Sequence, residues 1–201
     1  MNAIERFYLP LHQLLDKSKC LDGLPLLLLR LYLAPIMIQA GYNKLSAFDS
    51  TVQWFGDYLG MPLPGVMAFL AIAAELGGGI LLIIGLATRW VSIPLMVTMF
   101  VAAFSVHIEN GWLAIADGGS WLANDNVIAA QEKLAMAKSI LQEYGNYDWL
   151  TSSGSFVILN NGIEFAITYL FMLMVLFFYG GGRYVSVDYY LSKALIKKQT
   201  D

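Results

Sequence analysis

The sequence predicts an all-α integral membrane protein, a four-helix bundle with an amphipathic external helix between spans 3 and 4 and an interfacial helix at the N-terminus. Three observations lead there. Of 201 residues, 58% are hydrophobic and 13% charged, roughly half the ~25% charge of a soluble domain, so a water-facing surface of normal polarity is out of reach. Four apolar windows, at 24–45, 64–86, 90–108 and 162–179, have about the 20 residues that a hydrocarbon core demands. Turn or interface residues bound each window, and one domain over 1–201 with an external segment at 110–160 accounts for the whole chain.

The N-terminal tail comes first. Ile4, Phe7, Tyr8, Leu11, Leu14 and Leu15 recur at helical spacing, with Arg6, His12, Gln13, Asp16 and Lys17 elsewhere, which suits a helix lying on the membrane or docked on the bundle. The first span follows. Arg30 would interrupt the apolar region of a cleaved signal, so this span is expected to be retained. Spans two and three are joined by a very short connection carrying Thr88 and Arg89, which makes them antiparallel neighbours. In span two, Gly77, Gly78 and Gly79 with Ala71 and Ala74 form a small-residue face for close helix approach. Pro94 should bend span three. Asn124 or Asp125 then caps an external helix that stops at Gly145, with apolar positions at Val127, Ala130, Leu134, Ala137, Leu141 and Tyr144. Trp112, Trp121, Tyr147 and Trp149 flank it, at headgroup level or packed on the bundle ends. Gly180 to Gly182 end the last span.

Charge gives the orientation. Arg6, Lys17, Lys19, Arg89, Arg183, Lys193, Lys197 and Lys198 share one side, while Lys44, Lys133 and Lys138 lie opposite among most of the acids. Both termini of this multi-pass protein are therefore expected on the cytoplasmic side. A net charge of −3 without a basic face argues against nucleic acid. Cys20 is the single cysteine, which excludes an internal disulfide, a CxxC pair and a cysteine-built metal site.

Ionisable groups inside spans are costly and usually pair across the bundle interior. Arg30 and Glu75, roughly 9 Å and 16 Å from the cytoplasmic ends of their spans, are expected to form a buried charge pair that supports a site or sets helix register. A second polar layer gathers at the external ends: Asn43 and Lys44, His107 and Glu109, Asn160, Asn161 and Glu164. Arg30, Ala34, Met37, Gly41 and Lys44 form one stripe of span one, so both layers can face the core. The matching stripes are Met96, Phe100, Ala103 and His107 on span three, and Glu164, Thr168, Phe171 and Val175 on span four. An apolar slot walled by Met37, Phe100 and Phe171, with Asn43, Lys44, His107 and Glu164 at its mouth, has what a quinone head group needs: hydrogen-bonding groups, a titratable group and greasy walls. Packing and helix capping are the plainer reading of the same residues. Haem is not expected, because His12 and His107 fall on opposite sides. Nor is a metal, because no HxxE or HxxxH spacing supports His107, Glu109 and Glu164 as ligands.

Taken in order, an arginine early in span one with GYNKL (41–45), ELGGGILLIIGLATR (75–89), H-x-x-x-G-W (107–112), NGIEFAI (161–167) and GGGRYVSVD (180–188) resemble the DoxX family of bacterial four-helix membrane proteins. The resemblance covers about residues 30 to 190. It implies a membrane subunit that passes electrons between an external donor or partner protein and quinone. His107 and Glu164 would then be the catalytic, proton-handling groups, with Arg30 and Glu75 in support. Two other readings stay open: a non-catalytic membrane partner whose segment 125–144 docks another protein, and a narrow transport or proton pathway through the polar layers. Membrane lipid is a partner in every reading, and a homo-oligomer is compatible with each.

Overall fold

The computed structural model describes residues 3–200, with side chains described except at 3–7, 10 and 197–200. It is all-α: among the described residues the only strand-like feature is an isolated antiparallel bridge between Ile115 and Leu159. The helices are α1 (Ala3–Lys17), α2 (Gly23–Ser46), α3 (Phe48–Gln53), α4 (Pro64–Ile84), α5 (Thr88–Asn110), α6 (Asp125–Tyr144), α7 (Tyr147–Leu150), α8 (Glu164–Tyr179) and α9 (Val187–Thr200). Three of them, α2, α4 and α5, are long and apolar enough to cross a membrane, and α8 is a shorter apolar helix of 16 residues. At 1.5 Å per residue, α2 spans about 36 Å, more than the ~30 Å hydrocarbon core.

The chain divides into two compact units, residues 1–98 with 171–201, and residues 99–170.

In the first unit, small residues bring the spans together. A Cβ on Gly79 would lie 2.7 Å from Ile38 Cγ1, and one on Gly41 would lie 2.8 Å from Leu76 Cγ, so α2 and α4 approach at both places through a missing side chain. Gly78 faces Leu95 of α5 in the same way, while Gly77 meets nothing. The expected small-residue face therefore serves two neighbours at once. The inward stripe of α2 is also as expected: Arg30, Ala34, Met37 and Gly41 are buried and Lys44 half-buried.

Helix ends follow backbone chemistry. Pro64 opens α4, where its missing N–H costs nothing. Gly85, at φ +68°, closes α4 in the left-handed conformation, with its N–H on Leu81 O and that of Leu86 on the same carbonyl. Ala87 is left-handed too, so only three residues separate α4 from α5. In mid-span α4 widens into a π-bulge at Ala73–Gly77, with Glu75 within it.

Along α1, Tyr8, Leu11, Leu14 and Leu15 are exposed, an apolar stripe with no protein cover. The expected contributions of Ile4, Arg6 and Phe7 there, and of Lys197 and Lys198 to the C-terminal charge, lie outside the described side chains.

The second unit is built around α6. Asn124 is its N-cap, its side chain accepting from Val127 N, and Gly145 N closes it on Leu141 O. Ala116, Val127 and Ala130 form a small core with Leu113, Ala123 and Ile158. Farther along, Ala137 and Tyr144 of the expected inward face are exposed.

Candidate functional site

Among the described residues Glu75 is the one acidic side chain buried inside a span, 3% exposed. Its partner is Lys44, whose Nζ lies 2.9 Å from Oε1 and 2.7 Å from Oε2. Lys44 keeps 27% of its surface. The pair lies at one of the two close approaches of α2 and α4, since Gly41, one turn inside Lys44, abuts Glu75 and Leu76. The π-bulge offsets the carboxylate from the regular helical register, a device often found at functional positions.

The expected pairing of Arg30 with Glu75 is corrected by these contacts. Arg30 is fully buried and gives its guanidinium to backbone oxygens: Nη1 to Leu82 O at 3.0 Å and Ile83 O at 3.3 Å, Nη2 to Val185 O at 2.7 Å. The reason is register. The start of α2 and the end of α4 are not level, and Arg30 sits beside the last turn of α4, where carbonyls lack helical partners and a cation is favoured. Gly41, which does sit beside Glu75, lies eleven residues further along α2, about 16 Å away.

A second polar node completes that end. Asp188 accepts from Ala87 N at 2.6 Å and Thr88 N at 2.8 Å, and its own N–H donates to Gly85 O. The segment GGGRYVSVD thus wraps the α4–α5 turn: Val185 holds Arg30, and Asp188 caps α5. Sequence reasoning missed Asp188 in this role. Its place in the first turn of α9, two residues after Ser186, points to its own helix.

In the second unit, His107 Nδ1 donates to Asn161 O at 2.9 Å, and Asn110 Nδ2 reaches the same oxygen. A carbonyl only accepts, so Nδ1 carries the proton and, in the neutral ring, Nε2 is an acceptor. Glu164 Oε2 accepts from Ala114 N at 3.0 Å. Asn160 and Asn124 both donate to Asn110 O, and Gly162 packs against the carbonyls of Gly111, Trp112 and Leu113 with no room for a side chain. The motifs 107–112 and 160–164 therefore form one hydrogen-bonded knot, in which Asn110, Gly162 and the helix cap Asn124 join His107, Asn160, Asn161 and Glu164 of the expected polar layer.

The expected slot is only partly reproduced. Met37 is buried on the inward stripe of α2. Asn43 is exposed and accepts from Gln39. Phe100 and Phe171 are corrected: they are 55% and 59% exposed, while the buried positions are Thr88, Ser92, Leu95, Met99 and Ala103 on α5, and Ala166, Leu173 and Leu176 on α8. The expected stripes run through His107 and Glu164, but His107 closes a π-turn and Glu164 opens its helix, so neither continues the regular inward face. Lys44 and Glu75 belong to the first unit, His107 and Glu164 to the second. Among the described residues no group of three or more His, Cys, Asp or Glu is placed to hold a metal ion.

Residues 25–108 match the DoxX family model. Over 91 residues the chain is 34% identical to the Bacillus subtilis (strain 168) protein named "Putative oxidoreductase CatD", covering 45% of this chain and 66% of that protein. Over 64 residues it is 38% identical to "Inner membrane protein YphA" of Escherichia coli (strain K12), covering 32% of this chain and 45% of that protein. The chain thus spans less than two thirds of either relative's length. No solved structure matches it.

Proposed function

Residues 25–108 of this chain being a DoxX-family segment, we propose that the protein is a membrane subunit of a quinone-linked redox system that passes electrons between an external donor or partner protein and quinone. It lies in a bacterial inner membrane as a four-helix bundle with both termini cytoplasmic. The observation that carries the reading is the Lys44–Glu75 pair, a lysine still partly open beside a buried carboxylate in a π-bulge between two apolar spans. Charges inside spans are retained at a cost and mark functional positions by default. The names of the relatives, one an oxidoreductase and one an inner membrane protein, agree with it.

The donor set fits a quinone head group and the aromatic walls do not. Bound quinone would supply a two-electron, two-proton acceptor. Lys44 Nζ would turn one N–H toward a carbonyl oxygen, and the Glu75 carboxylate, losing part of its countercharge, would be placed to take up a proton. His107 Nε2 is an acceptor for a hydroxyl proton in the second unit, with Asn161 O setting its tautomer. The walls fall to Met37 and other buried aliphatic residues, because Phe100 and Phe171 face outward. As the fourth span, α8 rises about 24 Å, short of the ~30 Å core by an amount that local bilayer thinning absorbs.

A short-chain quinone titrated into the protein in nanodiscs, followed by tryptophan quenching, tests this reading. Saturable binding weakened at least tenfold in Lys44→Gln is expected. Quenching that rises linearly, or identical curves for both proteins, would sink it. The scaffold reading keeps one specific observation: Ile128, Met136, Ile140 and Tyr144 of α6 are exposed on a segment outside the apolar helices. Loss of a partner on deleting 125–144, with quinone binding absent, would favour it.

A further inference from the structure

A cavity of about 410 Å³ opens at the α4–α5 turn and the start of the C-terminal segment, within the first unit. It is lined by Arg89, Arg183, Trp90, Tyr179, Tyr189 and the glycine run 180–182. From its lining we infer that this cavity binds an anionic phosphate group, as carried by the head of a membrane phospholipid.

Two arginines supply the charge. Arg89 is held in place by its Nε, which donates to Phe177 O at 2.8 Å, and by the Phe177 ring 5.8 Å from its Cζ. That leaves the fork of its two terminal nitrogens for a ligand, the geometry that matches phosphate. Arg183 meets Asp22 at 3.3 Å, an exposed pair of the kind that exchanges readily. The acid on the wall does not oppose an anion as a free carboxylate would, because both oxygens of Asp188 accept from Ala87 N and Thr88 N.

The glycines shape the turn that forms one wall. Gly180 and Gly182 have φ of +77° and +94°, which L side chains rarely adopt. A Cβ on Gly181 would lie 2.7 Å from Thr88 Oγ1 and 3.1 Å from Ser186 Oγ. The Thr88 hydroxyl is buried without a hydrogen-bond partner, so a polar group stands unused against the turn.

Depth selects a lipid. The cavity lies where α5 begins and α8 ends, and Trp90 and Tyr179 beside it are each 76% exposed. Aromatic side chains at span ends occupy the headgroup layer. Basic pockets at that depth recognise anionic head groups, each Lys or Arg near the surface strengthening binding about fivefold. The inference needs the membrane reading of the fold and not the quinone proposal.

The test uses the full chain in nanodiscs of phosphatidylcholine, with phosphatidylglycerol titrated in and lipid retention read by native mass spectrometry. Phosphatidylglycerol should be retained in preference to phosphatidylcholine, and Arg183→Gln should weaken that preference about fivefold. Arg89→Gln should do the same, and since Arg89 also ties α5 to the end of α8, the Arg183 variant decides if the Arg89 variant fails to fold. Lys19→Gln, on the same side outside the cavity, should change nothing. Inorganic phosphate separates the sources. Thermal stabilisation by phosphate without lipid, lost in Arg183→Gln, would point to a soluble phosphate compound, and retention insensitive to phosphate points to the lipid. No preference for phosphatidylglycerol together with no response to phosphate, or equal losses in Lys19→Gln and Arg183→Gln, overturns the inference.

Discussion

Removing Lys44 should be far more harmful than neutralising Glu75. In Lys44→Met a carboxylate that is 3% exposed loses both its hydrogen bonds, at 2.7 and 2.9 Å, in the middle of α4. Breaking a buried ion pair by deleting one partner costs about 3–5 kcal/mol. The 27% of Lys44 still open to its surroundings places this case at the lower end, about 3 kcal/mol, or roughly a hundredfold in the unfolding equilibrium. Glu75→Gln strands only a lysine near the end of its helix, free to extend toward the interface, so about 1 kcal/mol is expected. In the double variant the buried amide is neutral and the stranded charge is gone. The two substitutions should therefore fail to add by about 2 kcal/mol, well beyond the ~0.5 kcal/mol scatter of independent sites. Denaturant unfolding in mixed micelles, followed by tryptophan fluorescence for wild type, both single variants and the double, gives all four corners of the cycle. Additivity within about 0.5 kcal/mol, or a Glu75→Gln variant as damaged as Lys44→Met, would refute the pairing.

Other consequences follow from the packing. Gly79→Ala should cost about 1–3 kcal/mol by overpacking against Ile38 and Ala34 O, whereas Gly77→Ala, with nothing within 4 Å, should be neutral or gain up to about 1 kcal/mol; equal effects in thermal unfolding would contradict this division of the glycine run. Asp188→Ala should cost about 1–2 kcal/mol by uncapping α5, and Asp188→Asn less, since one acceptor oxygen remains; an unchanged melting temperature in Asp188→Ala would count against it.

Much of the helix pattern is legible in the sequence because it depends on local apolar runs and stop signals. The windows 24–45, 64–86 and 90–108 lie within two residues of α2, α4 and α5 at each end. Asn124 and Gly145 bound α6 as their cap chemistry demands. The inward stripe of α2, from Arg30 to Lys44, follows directly from helical spacing. What spacing does not carry is the register between helices. With the start of α2 level with the end of α4, Arg30 comes within a side chain's reach of Glu75, whereas the contact of Gly41 with Glu75 puts Lys44 there. The same gap explains Asp188, which caps a helix a hundred residues earlier in the chain. The stripes of α5 and α8 failed for a different reason. Helical spacing puts His107 and Glu164 on regular faces, but a π-turn and a helix start displace them, leaving Met99 and Leu173 inside and Phe100 and Phe171 outside.

The most direct test of a quinone-linked role is the quinone content of the purified protein. Protein extracted from its native membrane in mild detergent would be analysed by organic extraction and mass spectrometry, beside Lys44→Gln and an unrelated membrane protein from the same membranes. Quinone retained by the wild-type chain above the level of the unrelated protein, and reduced to that level in Lys44→Gln, is the predicted result. Quinone at the background level in all three would contradict it.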